Sequence, residues 1–298
     1  MPDECGPPDS VGILVPSGML GAGFSPDTIT RGISLGADVI AVDGGSTDSG
    51  PYYLGAGVAK TAERAVRRDL RLLLAAASSA RIPLVVGSCG TSGTDSGVNW
   101  VASIVDAIRV EDGLDLAVAK IFSEQDAGRL IAQLDRGRVH ALPPSGPLDA
   151  ATLSRCVHIV GMMGHEPIEQ ARAGADVVLA GRATDTAVSA AFALMRGMPP
   201  GPTWHAAKII ECGGQCTTRP GSGGVFARID HSGFTVEPLE EDAACTPTSV
   251  AAHMLYETVN PYTMREPGGT IAVADARYIA VDERTVRVEG SRFEPAGQ

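Results

Sequence analysis

The sequence predicts an α/β protein: a mostly parallel, Rossmann-like open sheet with flanking helices, followed by a smaller β-rich α+β segment. Three observations predict this class. Short β-branched runs alternate with longer amphipathic runs over the first two thirds of the 298 residues. A Gly-Ala-Asp-Val sequence recurs at residues 36–39 and 174–177, where a glycine ends a helix and a strand begins at once. After the Pro-rich residues 198–202, the pattern changes to short strands joined by turns.

The first part of the chain is predicted as repeated strand–helix units. The predicted strands are Gly12–Pro16, Asp38–Val42, Leu84–Val86, Leu116–Lys120, His158–Gly161 and Asp176–Leu179. The predicted helices are Ser25–Leu35, Ala59–Ala80, Val98–Glu111, Glu124–Leu134, Glu166–Ala173 and Asp185–Met195. Because strands and helices alternate, we expect a parallel sheet in an α/β domain over residues 1–205.

The rest of the chain is predicted to be β-rich. The turn Asp230-His231-Ser232-Gly233 lies between two apolar runs, Phe226–Ile229 and Phe234–Val236, which indicates a hairpin. Further antiparallel strands are predicted at Ile271–Ala274, Tyr278–Val281 and Val286–Glu289, with one helix over about residues 248–258. We therefore expect a second, α+β segment over residues 206–298.

Composition and charge exclude several classes of protein. Hydrophobic residues make up 44% and charged residues 20% of the chain, which is globular rather than disordered or fibrous. The net charge of -11 disfavours binding to nucleic acid or to an anionic membrane. The apolar runs are far shorter than the roughly 20 residues that span a bilayer, and the first residues carry no signal sequence. We expect a cytoplasmic protein.

Cysteine spacing predicts neither a disulfide framework nor a metal site. Six cysteines in 298 residues include no CxxC pair, and Cys212 with Cys216 forms a CxxxC without a second pair of ligands. No glycine-rich stretch completes a nucleotide-binding motif, so no cofactor is predicted. A divalent cation such as Mg²⁺ on Asp43 and Asp48 is left open, because carboxylate sites of this kind have no fixed spacing.

Two loops that follow predicted strands carry most of the candidate site. In an open parallel sheet, ligands bind outside the carboxyl ends of the strands. The candidates after the second strand are Asp43, Gly44, Gly45, Ser46, Thr47, Asp48 and Ser49, and those after the third are Ser88, Cys89, Thr91 and Ser92. Their backbone amides and hydroxyls suit an anion. The alternative is that both stretches are ordinary turns with helix caps.

Three further strand ends add charged candidates. Glu124 follows the fourth strand, His165 the fifth, and Arg182 with Asp185 the sixth. Arg182 suits a carboxylate or phosphate clamp, or else a salt bridge to Asp43 or Asp48. Glu124 is equally suited to a helix start, and a single histidine at a helix start is commonly structural.

Other polar residues of the C-terminal segment are assigned mostly to turns and packing. The turns that begin at Glu211 and Glu266, each followed by glycines, are placed where they can close over the crevice. His253, Tyr256 and Glu257, on one predicted helix, are interpreted as packing and surface residues.

Five ordered motifs resemble the acyclic terpene utilisation family. They are DGGSTDSGPYYLG at 43–55, HIVGMMG at 158–164, DVVLAGR at 176–182, WHAAKIIECG at 204–213 and CTPTSVAAH at 245–253. The resemblance implies a bacterial enzyme that works near acyl-CoA and branched carboxylic-acid chemistry. It also implies a small companion domain, fused or separate, so we expect a homo- or hetero-oligomer in which this chain is one part.

Together, the residues and the resemblance predict an enzyme that binds a small carboxylate or acyl thioester and performs acid–base chemistry of the lyase, hydratase or isomerase type. Asp43 or Asp48 is the predicted base and Arg182 the carboxylate clamp. The predicted oxyanion donors are Ser46, Thr47, Ser88, Thr91 and Ser92. Two alternatives are kept: a hydrolase with Cys89 as nucleophile, and a non-catalytic binding subunit.

Overall fold

The computed structural model describes residues 8–45, 49–221, 223–256 and 258–297. Its strands are β1 Ser10–Val15, β2 Val39–Asp43, β3 Leu84–Gly87, β4 Val118–Ile121, β5 Val177–Ala180, β6 Val225–Asp230, β7 Gly233–Pro238, β8 Thr263–Glu266, β9 Gly269–Ala272, β10 Arg277–Ala280, β11 Val286–Glu289 and β12 Arg292–Pro295. Its helices are α1 Pro26–Ser34, α2 Tyr52–Ala56, α3 Glu63–Ala80, α4 Asp95–Asp112, α5 Ala127–Asp135, α6 Ala150–Arg155, α7 Glu166–Arg172, α8 Asp185–Met195, α9 Pro200–Ile210 and α10 Pro247–His253. A 3₁₀ turn spans Gly213–Cys216.

One large sheet runs through the described chain in the order β10-β11-β7-β6-β1-β2-β3-β5-β4. From β1 to β4 the neighbouring strands are parallel. On the other side of β1, the strands β6, β7, β11 and β10 pair antiparallel. A smaller antiparallel sheet has the order β12-β9-β8. The predicted fold class, a parallel α/β sheet followed by a β-rich segment, is confirmed.

Helices cover both faces of the parallel strands. Successive side chains of a strand point to opposite faces, so Ile13 packs into a core that includes Trp204 of α9, while Leu14 packs into a core that includes Leu70 of α3. Every residue of β2 is buried, as expected for a central strand of a covered parallel sheet.

The repeated Gly-Ala-Asp-Val sequence has one structural role at both sites. The carboxylate of Asp38 accepts the backbone N–H of Gly12 at 2.7 Å, at the start of β1. The carboxylate of Asp176 accepts the N–H of Ala117 at 2.9 Å, just before β4. Each aspartate therefore fixes the start of its strand against the neighbouring parallel strand.

Two local predictions are wrong. His158–Gly161, predicted as a strand, makes only an isolated bridge between Val160 and Glu124, because this segment crosses the loop after β4 instead of entering the sheet. The change to short strands predicted after the Pro-rich residues 198–202 comes later than expected, because the helix α9 begins among these residues, at Pro200, and runs to Ile210. Proline fits the first turn of a helix, where its missing N–H has no intrahelical partner.

The C-terminal predictions are confirmed in type and shifted in extent. The hairpin around Asp230 is formed by β6 and β7. The helix predicted over residues 248–258 is α10, which ends at His253. The pairing of β1 with β6 joins residues from both sides of position 205 in one sheet, and the division of the chain there stays a prediction.

Candidate active site at the carboxyl ends of the parallel strands

The loops that follow β2, β3 and β5 are hydrogen-bonded to one another. Gly44 N donates to Gly87 O at 2.6 Å, and Thr91 N donates to Gly44 O at 3.1 Å. Ser88 N donates to Gly181 O at 3.1 Å. We call the region where these loops meet, residues 43–45, 88–94 and 181–185, the strand-end crevice. Parallel strand order places their chemistry together, although they are far apart in sequence.

Asp43 is the last residue of β2 and is buried, with 8% of its surface exposed. One of its oxygens accepts the N–H of Gly45 at 3.4 Å. Burial raises the pKa of Asp43 well above its usual range, and the charges of Asp185 and Glu211 raise it further. Arg182 acts in the opposite direction but does not offset these effects. A carboxyl group of this kind holds and releases a proton at higher pH than an exposed aspartate does.

Arg182 follows β5 and is equally buried, at 8% exposed. Its Nη1 lies 3.2 Å from Ser88 Oγ and 3.7 Å from Asp185 Oδ1. Its backbone N–H donates to Ser123 Oγ at 2.8 Å, and that hydroxyl donates to Gly93 O at 2.7 Å. The guanidinium is therefore held at the crevice by fixed contacts on both its backbone and its side chain.

The loop after β3 contains strained backbone. Ser88 and Thr91 have φ of 43° and 79°, in the left-handed region that non-glycine residues seldom occupy. Such residues persist where the surrounding structure holds them, and they concentrate at functional sites. Ser92 is also buried, and its hydroxyl has no hydrogen-bond partner within the described chain. Three of the predicted donors thus lie in one constrained loop.

Two glycines allow the loops to approach this closely. A Cβ on Gly45 would lie 2.0 Å from the Cα of Thr91, and one on Gly93 would lie 2.1 Å from the backbone N of Arg182. Both contacts are with backbone atoms that no side-chain rotation can relieve. The glycines of the crevice are therefore needed to bring its chemistry together.

The other candidates after β2 differ in what the structure describes. Ser46, Thr47 and Asp48 lie outside the described residues, so neither Asp48 nor a cation on it is placed. Ser49 Oγ accepts a hydrogen bond from Lys60 Nζ at 2.8 Å.

Cys89 is fully buried behind the crevice. Its Sγ contacts Val86 O at 3.6 Å, and burial together with the charge of Asp43 raises the pKa of its thiol. The thiolate needed for nucleophilic attack is strongly disfavoured there, and we give Cys89 no chemical role.

Glu124 and His165 bind to partners outside the three crevice loops. Glu124 accepts the N–H of Asp95 at 3.2 Å and pairs with Nδ1 of His158. His165 Nδ1 lies 2.5 Å from Glu169, and its ring packs edge-on against Trp204. The His158–Glu124 pair was not anticipated, because His158 was assigned to a strand.

Two cavities adjoin the crevice. A small one of about 200 Å³ is lined by Arg182, Thr184, Asp185, Thr186, Lys208, Glu211 and Glu266, among others. A larger one of about 710 Å³ lies beside the carboxyl end of β1 and is lined by Ser17, Lys60, Cys212 and Tyr256, among others. Glu211 lines the small cavity, and the next residue, Cys212, lines the larger one.

A sequence model described as acyclic terpene utilisation family protein AtuA matches residues 56–298. The chain belongs to this family. No curated protein and no solved structure matches the chain. The part matched to the acyclic terpene utilisation family includes Ser88, Arg182 and Asp185, and it begins C-terminal to Asp43.

This family member has further crevice residues that sequence reasoning did not select. Lys208 of α9 forms a buried ion pair with Glu211. Burial raises the pKa of Glu211 to about 8 and that of Glu266 to about 7. Glu266 accepts a hydrogen bond from Thr186 Oγ1 at 2.7 Å. The available signal was the pair of glutamate turns expected to close over the crevice, and both glutamates do line the small cavity beside Arg182.

The described helices include none that is both long and apolar enough to cross a membrane. The described cysteines, at positions 89, 156, 212, 216 and 245, are thiols and form no disulfide.

Proposed function

We propose that the chain is an enzyme that binds a small carboxylate or acyl thioester in the strand-end crevice and catalyses acid–base chemistry of the lyase, hydratase or isomerase type. The observation that carries the proposal is the juxtaposition of Asp43 and Arg182, a buried proton-accepting carboxyl and a fixed guanidinium, at the carboxyl ends of β2 and β5, the two strands that flank β3. The cysteines that the structure describes are thiols, which accords with the proposal that the protein acts in the cytoplasm.

Asp43 is the proposed base. Removal of a proton next to a carboxylate or thioester carbonyl requires a base whose pKa is higher than that of an ordinary aspartate. Burial and the neighbouring charges of Asp185 and Glu211 act in that direction at Asp43. The proton taken from the substrate carbon goes to the Asp43 carboxylate, which then returns it to the leaving group or to the new carbon position.

Arg182 is the proposed carboxylate clamp. Its contacts with Ser88 and with Asp185 both involve Nη1. The guanidinium therefore has further N–H donors for an anionic substrate. The helices α4 and α8 begin at residues 95 and 185, next to the crevice, and their N-termini add partial positive charge.

Ser88, Thr91 and Ser92 are the proposed donors to the developing oxyanion. Backbone strain at the first two fixes their positions before substrate arrives, and preorganised donors stabilise charge more effectively than mobile ones. The buried hydroxyl of Ser92 has no partner in the described chain, and a substrate oxygen would supply one.

Cavity size supports the substrate class. The small cavity beside Arg182 suits a short carboxylic acid. The larger cavity, which Cys212 helps to line, offers room for the carrier portion of an acyl thioester. The chain is also proposed to work with a small companion subunit, as the family resemblance implies.

A thermal-shift screen tests this proposal. The purified chain is mixed with short carboxylates, acyl-CoA thioesters, nucleotides and divalent metals, because a ligand that binds only the native state raises Tm. We expect a carboxylate or thioester to raise the Tm of the wild type and of Arg67→Ala, whose arginine pairs with Glu111 on the surface. The shift should be lost in Arg182→Ala and weakened in Arg182→Lys, since lysine keeps the charge but not the planar donor set.

Two results would contradict the proposal. An Arg182→Ala variant that keeps the full ligand shift would remove the clamp. The absence of any shift or turnover, alone and with a copurified companion chain, would favour a non-catalytic binding subunit.

A further inference from the structure

Three side chains with metal-binding atoms converge just after the end of α9. Glu211 and Cys212 follow the end of α9, and His253 is the last residue of α10. One carboxylate oxygen, one sulfur and one imidazole nitrogen from these residues all lie within 4.8 Å of one another. The histidine is 41 residues from Cys212 in sequence (253 − 212), and only the packing of α10 against the 3₁₀ turn brings them together.

His253 carries a second, independent observation. Its side chain is buried, at 5% exposed, and its Nε2 has no hydrogen-bond partner within the described residues. A buried nitrogen without a partner costs free energy, and such atoms in native structures commonly face a water or an ion that completes them. The ring is hydrogen-bonded to the backbone of Lys208, which leaves Nε2 to accept a ligand.

We propose that Glu211, Cys212 and His253 bind a zinc ion. One sulfur, one nitrogen and one oxygen form the mixed donor set that zinc accepts, with bonds of about 2.0–2.3 Å. Tetrahedral bonds of that length place ligand atoms about 3.5 Å apart, so the three side chains need to move together by roughly 1 Å. Coordination replaces the thiol proton of Cys212, which passes to solvent.

Within the described part of the chain three donor groups converge, a number that fits a site with an open coordination position. Structural zinc sites have four protein ligands, whereas three protein ligands leave the fourth position for water or substrate. Cys212 lines the larger cavity and Glu211 the smaller one, so the fourth position is reachable from solvent. The zinc site would share Glu211 with the small cavity proposed above for the substrate, but its test does not depend on the roles of Asp43 and Arg182.

Lys208 is the group that opposes binding. Its ammonium pairs with Glu211 and lies 5.6 Å from the centre of the Tyr256 ring. A zinc ion on Glu211 requires this ammonium to move away, and the nearby carboxyl of Glu266 offers an alternative partner. Removal of the lysine charge is therefore expected to strengthen zinc binding, which a chance surface site would not show.

Zinc and cobalt titrations of the metal-free full chain test the proposal without any substrate. We expect one Zn²⁺ per chain, and a sulfur-to-metal charge-transfer band when Co²⁺ is added. Cys212→Ser and His253→Gln should each weaken zinc binding by more than about 100-fold, since changes outside the first shell of a metal already cost about 10–100-fold. Lys208→Gln should tighten binding several-fold.

Cys156→Ser is the matched control, because it removes an exposed thiol far along the chain from the site. It should bind zinc like the wild type. Cys216→Ala tests the CxxxC pair separately and should also keep the ion. The proposal is overturned if the wild type binds no stoichiometric zinc, or if folded Cys212→Ser keeps wild-type affinity. If His253→Gln does not fold, the Co²⁺ band of the wild type and its loss in Cys212→Ser still decide the question. Because no arm uses substrate, failure here leaves the proposed enzyme function untouched.

Discussion

Two aspartate–arginine clusters in this molecule have opposite electrostatics. In the antiparallel half, Asp230 receives two hydrogen bonds from Arg287, at 2.5 and 2.9 Å, and another from the N–H of Ser232. These contacts hold the pKa of Asp230 well below its usual range. In the strand-end crevice, Asp43 lies near Arg182, yet its pKa is raised well above that range.

The difference arises from burial and from where each arginine points. Asp230 is partly exposed and accepts a bidentate pair, so its charge is stabilised at little desolvation cost. Asp43 is buried next to the acidic Asp185, and the guanidinium of Arg182 is directed at Ser88 and Asp185. The Asp230–Arg287 cluster contributes to stability. At Asp43, by contrast, the folded protein disfavours the ionised carboxylate, which costs stability. A cost of that kind is typical of a functional site.

Gly93→Ala is expected to have the largest effect, because it breaks the crevice while leaving the Asp230 cluster intact. The new methyl group would lie 2.1 Å from the backbone nitrogen of Arg182, and residue 93 has a φ of 72°. We therefore expect the free energy of unfolding to fall by about 3 kcal/mol or more. Urea denaturation measures it.

The matched control for this substitution is Gly268→Ala. Gly268 also has a positive φ, of 83°, but no atom lies within 4 Å of its added Cβ. Backbone strain alone should cost about 1 kcal/mol there. Equal losses for the two variants would show that close packing at the crevice is not what Gly93 provides.

Asp43→Asn is expected to change function and stability in opposite directions, which distinguishes Asp43 from Asp230. We expect turnover of the eventual substrate to fall by at least about 100-fold, the usual contribution of a general base. Stability should rise by about 1 kcal/mol at neutral pH, because the folded protein no longer contains a carboxyl group whose pKa is raised by burial and by like charges. Steady-state kinetics and denaturation of the same preparation measure both effects.

The pH dependence of this gain has a fixed sign. The folded-state pKa of Asp43 is raised above the unfolded value of about 3.9. Between these two pKa values the unfolded chain gives up a proton that the folded protein keeps, so the free energy of unfolding falls as the pH rises through this window. The difference in Tm between Asp43→Asn and the wild type should therefore vanish near pH 4 and widen toward neutrality. A gap that is constant with pH would contradict this origin.

Asp230→Asn should show the smaller effect with the opposite sign. Its carboxylate is partly exposed and screened, so we expect a loss of at most about 1 kcal/mol at neutral pH. Because the folded pKa is lowered, this stability is present above the unfolded pKa and is lost as the pH falls toward the folded value. Thermal denaturation from pH 7 to pH 2 should show the variant and the wild type converge in acid.

Local sequence patterns predicted most of the parallel half of the fold. Strands such as β2 and β5 are short, apolar and preceded by glycine turns, and these properties act between residues that are neighbours in the chain. The same reasoning failed at His158–Gly161, where an apolar run crosses a loop instead of joining the sheet. Whether such a run enters the sheet depends on the partners available, which periodicity does not report.

The candidate site divides in a similar way. The order of residues along the chain was enough to predict that polar loops follow the strands. Because the strands are parallel, Asp43, Ser88 and Arg182 then lie at the same edge of the sheet. Only the tertiary structure brought in Lys208 and His253, which belong to helices far along the chain, and only it placed Glu211 and Glu266 in the lining of the small cavity beside Arg182. The raised pKa values of the two glutamates and the lowered pKa of His253 arise from burial against distant segments. Burial is a property of the packed molecule, and a motif in the chain cannot encode it alone.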